Sequence, residues 1–293
     1  MAIYSNTLAE LVEQTCRLLG DWTGGTVSSS TSATTFKDTS RQEGDDFWNA
    51  KGAEVYFRAG VHATKTRKIT DWGNTTNMFT FAPANTGTST AGTTYSLHTI
   101  FPRDEVVDKI NLAIDMVAEE ALVWKSDSTS VALTASTYEY DLPTSFMFIH
   151  GVIVASSTGG FHNQDRLESN DWGIVHSSTP KIRFNRFHED QQYEGHYYSG
   201  HFADEGISTG RALRIEGLAS PDKLSLDADV CPLSPAYLSF QAASLLFMSK
   251  AASADSDPKA FFARGQFFQQ RADIERANVV NLHLPIGSKR VRE

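Results

Sequence analysis

A chain of 293 residues, 40% apolar and 21% charged, can bury a sizeable core as one large domain or two to three small ones. Its net charge of −9 excludes a protein that grips nucleic-acid backbone over its whole surface, which needs clustered Lys and Arg, but not one that lets DNA pass by. With only Cys16 and Cys231, a disulfide framework and a cysteine zinc motif are excluded, and two buried free thiols in a reducing compartment are expected.

The N-terminal stretch MAIYSNTLAELVEQ has neither the basic nor the apolar region of a signal peptide. The longest apolar run, Phe146 to Ala155, is about half of the ~20 residues that span a bilayer and contains His150. A soluble chain without a membrane partner is expected. Helix one should run from about Thr7 to Leu19, with Thr7 and Glu10 as a capping box and Gly20 at C′. Leu8, Leu11, Val12, Cys16 and Leu19 form its core stripe.

Residues 21 to 100 are rich in Thr, Ser, Gly and Asn, with short alternating runs at Ala53–Arg58, Lys68–Trp72, Met78–Ala82 and Thr94–His98. Turn signals at Gly73-Asn74 and Asn85–Gly92 separate them, which predicts a small antiparallel sheet or barrel. Ser28 to Thr35 reads as an extended, strand-like loop. A second helix is predicted from Arg103 to Trp124, entered through Pro102, with Asp104 and Glu105 in its first turn. Val106, Val107, Ile110, Ile114, Val117 and Ala121 mark its apolar side. Asp108, Lys109, Asp115, Glu119 and Glu120 mark a solvated one.

From Val131 to Leu226 the pattern returns to strands, in VALT, YEYDLP, MFIHGVIVA, KIRFNRF, EGHYYSG and ALRIEGL, as in an antiparallel sandwich or barrel. A helical hairpin follows, from Ser234 to about Val280. Ser234 before Pro235 and Asp257 before Pro258 are its two start signals. The order predicts an α+β fold: a four-helix bundle of residues 1–23, 101–128 and 233–282 with two inserted antiparallel β modules. Residues 24–100 form the first module, a small sheet or barrel. Residues 129–232 form the second, sandwich-like one, and 283–293 a basic C-terminal tail.

Few residues invite chemistry. His150, His162, His176, His188, His196 and His201 concentrate in the second β section, but no Cys or carboxylate completes a ligand set, so hydrogen-bonded or exposed histidines are expected. Asp222, Asp227 and Asp229 lack the glycine and terminal glutamate of a calcium loop and read as a solvated turn leading to Ser234. There is no G-x-S-x-G, no G-x-x-x-x-G-K-[ST] and no helix-opening G-x-G-x-x-G, which favours a binding or structural role without cofactors. Two basic groups remain, Lys65, Arg67 and Lys68 in the first module and Lys289, Arg290 and Arg292 at the end. After Pro285, the latter should form a mobile extension that orders on a partner.

The segments TLAELVEQTCRLLGDW, PRDEVVDKINLAI, YEYDLP, MFIHGVIV, Trp172–Ile174, LRIEGLASPDKLSLDAD and YLSFQAASLLF follow one another in an order that resembles bacteriophage head-to-tail adaptor proteins, also called neck or tail-tube gatekeeper proteins. TTFKDTSRQEGDDFWNAKGAEVYF, KITDW and FAPA are similar to β modules of such neck proteins. The resemblance implies a non-enzymatic virion protein at the head–tail junction, assembled in the host cytoplasm as a homo-oligomeric ring, usually a dodecamer. Its partners would be the portal protein and a downstream tail or nozzle protein. DNA would cross the lumen without specific binding, with the tail (Pro285, Lys289, Arg290, Arg292) reaching the portal and Glu119 and Glu120 as candidate lumen acids. The inserted module leaves open which β section faces the tail. Two alternatives stand beside this reading. One is a tail terminator, baseplate or fibre-attachment protein, which the four helices disfavour. The other is a carbohydrate-active enzyme using Trp72 or Trp172 with nearby acids.

Overall fold

The computed structural model describes residues 4–134, 137–143, 145–156, 159–163, 166–184, 210–252, 257–279, 285 and 287–291. The chain opens with β1 (Asn6–Thr7) and α1 (Leu8–Leu19). Then come β2 (Thr23–Thr26), β3 (Ser29–Ser32), β4 (Thr35–Lys37), one turn of helix α2 (Phe47–Ala50), β5 (Glu54–Phe57), β6 (Thr66–Gly73), β7 (Met78–Ala82) and β8 (Thr94–His98). Next are α3 (Arg103–Asp115), β9 (Val123–Asp127), β10 (Glu139–Asp141), β11 (Phe146–Val154), β12 (Trp172–Val175), β13 (Lys181–Phe184) and β14 (Leu213–Ala219). β15 (Val230–Cys231), α4 (Pro235–Ala251), α5 (Pro258–Val279) and β16 (Lys289–Arg290) complete it. The fold is α+β, and every described strand pair is antiparallel. The chain forms two compact units, Met1–Val117 with Asp222–Val279 and Ala118–Pro221 with Val280–Glu293.

In the first unit, α1 begins as its sequence dictates. The Thr7 amide donates to Glu10 Oε2 at 2.8 Å, the Glu10 amide donates back to Thr7 Oγ1 at 3.3 Å, and Gly20 closes the helix at φ 72°. The central helix is α4, against which α1, α3 and α5 all pack. Ser234 Oγ caps it by accepting from the Tyr237 amide, and Tyr237, Leu238, Ala242, Ala243, Leu246 and Phe247 are buried along it. Asp257 Oδ1 likewise accepts from the Lys259 and Ala260 amides at the start of α5. Residues 253–256, between these helices, lie outside the described residues.

The expected four-helix bundle does not form. Helices in a bundle bury an apolar stripe against two neighbours. α5 fully buries only Gly265, Ala272 and Val279, one line of small residues at seven-residue spacing, which suits a single partner helix. There Ser244 Oγ donates to the Gly265 carbonyl at 2.9 Å, Gln241 and Gln269 exchange amide hydrogen bonds, and Phe247 stacks on Phe268. A Cβ on Gly265 would sit 3.1 Å from Met248, so the glycine permits this approach. α3 also ends earlier than predicted, at Asp115 and not Trp124. The helical spacing of Val117 and Ala121 continues, and both are buried, but Val123–Asp127 pairs with β14 instead.

The first β section is a seven-stranded sheet in the order β2-β8-β5-β6-β7-β4-β3. Its two outer members are halves of one bent stretch. Across the bend the Val27 amide donates to the Thr93 carbonyl at 2.8 Å and the Ser28 amide to the Lys37 carbonyl at 2.7 Å, so the sheet closes on itself as a small barrel. Aromatic and β-branched side chains fill it, among them Phe36, Val55, Phe57, Trp72, Phe79 and Tyr95. Ser28–Thr35, expected as a strand-like loop, supplies β3.

The second unit holds a four-stranded sheet, β16-β11-β14-β9, and a three-stranded one, β10-β13-β12. One apolar cluster takes side chains from both, including Phe146, Ile149, Trp172, Ile182 and Ile215. Gly217 of β14 lies where a Cβ would come within 2.1 Å of the Phe148 carbonyl oxygen. The predicted strand EGHYYSG, and the second half of KIRFNRF, lie outside the described residues.

Candidate assembly surfaces

Asp227 and Asp229 are occupied in holding the fold. Asp227, expected in a solvated turn, is instead half-buried in an ion pair with Arg103 at the start of α3. It also accepts from the Tyr56 hydroxyl, and the Arg103 guanidinium lies 3.9 Å from the centre of the Tyr56 ring. Asp229 does cap an exposed turn. Its Oδ2 accepts from the Leu226 and Ser225 amides, both at 2.7 Å, and these bonds hold its carboxyl below the usual carboxylate range.

Cys16 and Cys231 are buried free thiols. Sequence reading did not connect Cys16 with His98, which is 82 positions away. Cys16 Sγ lies 3.7 Å from His98 Nδ1, while His98 Nε2 faces Ser96 Oγ at 3.0 Å. The pair resembles a thiol–imidazole dyad, but burial pushes the thiol up to about 12 and the imidazole down to about 4. Both groups are therefore neutral at physiological pH, and the thiol is not a prepared nucleophile.

Among the described residues no group of three or more His, Cys, Asp or Glu side chains could hold a metal ion. His150 meets Trp124 edge to face, and His188, His196 and His201 lie outside the described residues. Trp72 and Trp172, the residues a sugar-binding groove would need, are each 1% exposed. Trp72 fills the barrel, and Trp172 lies in the core of the second unit.

The basic tail is not a free extension at its described positions. Phe148 pairs with Arg290 and Ile149 with Lys289, and the Val291 amide donates to the Met147 carbonyl at 2.8 Å. Val291 is buried, which anchors a segment that reads as polar by composition. The Lys289 ammonium donates to the carbonyls of Ser169 and Trp172 and lies 4.1 Å from the centre of the Trp172 ring. Desolvation lowers its pKa. Arg290 is exposed, Pro285 is half-buried, and Arg292 lies outside the described residues. Glu119 and Glu120, expected on a helix face, fall in the turn after α3, Glu119 exposed and Glu120 half-buried.

Two exposed stripes on the first unit combine charge with large apolar side chains. On α3, Asp104, Asp108, Leu112 and Asp115 follow one another at spacings of three or four, with Met116 at the C-cap. On α5, Ala260, Arg264, Phe267, Arg271 and Ile274 do the same. Leu112 is 40% exposed, Met116 44%, Phe267 50% and Ile274 64%.

The exposed stripes of the first unit suit a chain that assembles with others. No curated protein matches the sequence. Residues 96–283, well over half of the chain, match the family described as SU10 adaptor protein. The chain therefore belongs to the SU10 adaptor protein family, a family of phage head-to-tail adaptors.

Proposed function

We propose that this chain is a non-enzymatic subunit of a homo-oligomeric ring at the phage head–tail junction. The ring joins the portal to the downstream tail or nozzle protein and gives DNA a passage during ejection. Family membership over residues 96–283 carries the reading, because the match runs from the last barrel strand through both units to the end of the helical hairpin. The net charge of −9 supports it, since fixed negative charge avoids phosphate contacts in a channel that must release its DNA.

Within this reading, residues 283–293 dock on the portal. Arg290 is the exposed cation among the described residues there, and Lys289 joins it only by leaving Trp172. Glu119 and Glu120 face the lumen. Residues 24–100 act as a separately folding module, and 129–232 as the second. A reconstruction of the whole particle tests the proposal: density for this chain should encircle the DNA beneath the portal, and a position on the tail tip or fibres would sink it.

A further inference from the structure

We infer that the exposed stripe of α5 on one copy of this chain binds the exposed stripe of α3 on the next copy. The inference rests on the ring reading and supplies its contact.

The two stripes complement each other in charge and spacing. On α5, Arg264 and Arg271 stand seven residues apart, about 10.5 Å along the helix, with Phe267 between them and Ile274 beyond. On α3, Asp108 and Asp115 also stand seven apart, with Leu112 between them and Met116 next. Each stripe thus presents two like charges at one repeat around a large apolar side chain, and the signs are opposite. Among the described residues Arg264, Arg271 and Asp108 make no ion pair, and Asp115 meets only the exposed ammonium of Lys223 at 2.8 Å. An exposed pair of that kind contributes little. Arg271 lies over the Phe267 ring at 5.5 Å, which leaves its outer donors free for a carboxylate.

The apolar content requires a partner as well. Four large hydrophobic side chains at 40% to 64% exposure, rimmed by charge, have the composition of a protein contact and not of a solvated helix face. Because the stripes are different patches of one chain, joining them leaves one α3 and one α5 stripe open at the ends of every chain of copies. Such a head-to-tail contact propagates, and gives a ring where its rotation closes. A two-fold contact of either stripe with its own copy would set Arg against Arg or Asp against Asp.

Charge reversal tests this with the full chain. Sedimentation velocity, with the chain alone and with purified portal particles, should show wild-type assembly in at least one arm. Arg264→Glu/Arg271→Glu makes both stripes acidic, and Asp108→Arg/Asp115→Arg makes both basic. Each variant alone should need about tenfold more protein or greater to assemble. An equimolar mixture makes every contact complementary again and should restore assembly, which misfolded chains could not do. If either variant assembles like wild type, or the mixture fails to recover, this interface is wrong while the ring stands. A wild-type chain that stays monomeric in both arms overturns the ring and the interface together.

Discussion

Asp21 holds Thr99 twice. Its Oδ1 accepts from the Thr99 amide at 2.8 Å and from the Thr99 hydroxyl at 2.7 Å, although the two stand 78 positions apart with the barrel between them. Its Oδ2 accepts from the Ile100 and Phe101 amides at 2.9 and 2.8 Å. One buried carboxylate thereby joins the end of α1 to the entry of α3 and satisfies three backbone donors in a segment that belongs to neither a strand nor a helix.

Asp21→Ala should destabilise the chain by about 2–4 kcal/mol, because it orphans buried donors as well as removing their bonds. Asp21→Asn retains one accepting oxygen and should lose roughly half as much. Denaturant midpoints of the two variants check the order. Equal stability of Asp21→Ala and wild type would falsify the clamp.

Acid should weaken the fold through His98. An unfolded histidine takes up its proton near pH 6.5, whereas burial delays that step in the folded chain to about pH 4. Between these values the unfolded state binds more protons, so stability falls as pH falls through that window and levels off below it. The loss from this one group is roughly 3 kcal/mol. His98→Gln should flatten the dependence over the same window, as read from urea midpoints at several pH values. An unchanged slope would assign the acid sensitivity elsewhere.

The C-terminal segment should show two separable effects. Arg290→Glu removes an exposed cation and should reduce retention on immobilised portal while leaving the thermal transition where it was. Val291→Asp buries a charge beside β11 and should lower stability by a few kcal/mol (about 2–4). Truncating residues 285–293 should do both. Portal retention unaffected by Arg290→Glu would remove the docking role from this residue.

The barrel should be removable. Thr23 pairs with Leu97, so a short turn can replace residues 24–96 without moving the ends of α1 and α3. The Arg103–Asp227 pair keeps both its members, losing the Tyr56 hydroxyl and ring that pack against it. The remainder should be soluble with a helical circular-dichroism spectrum, and aggregation on expression would count against independent folding of the module.

Much of the fold was legible wherever a signal is local. The capping box of Thr7 and Glu10, Gly20, Ser234-Pro235 and Asp257-Pro258 placed helix ends, and alternation placed β5 to β8 and β11. The misses share a cause. Trp124 continues the helical spacing of Val117 and Ala121 and lies in a strand only because β14 is beside it, a partner about ninety residues away. Asp227, Cys16 and His98 acquire their roles through equally distant neighbours. The tail misled because the charges of Lys289, Arg290 and Arg292 surround Val291, the apolar anchor among its described residues, and that residue was a signal available.

The glutamine pair between α4 and α5 fixes more than their contact. A seam of Gly265, Ala272 and Val279 repeats every seven residues, and a smooth seam of that kind would tolerate slippage by one repeat. Gln241 with Gln269, and Ser244 with the Gly265 carbonyl, can be satisfied in only one alignment. The two amides work as a registration mark. Whatever the outer side of α5 touches is therefore held at a set height along α4, so any assembly built on it takes its dimensions from a pair of side chains that never reach the surface partner.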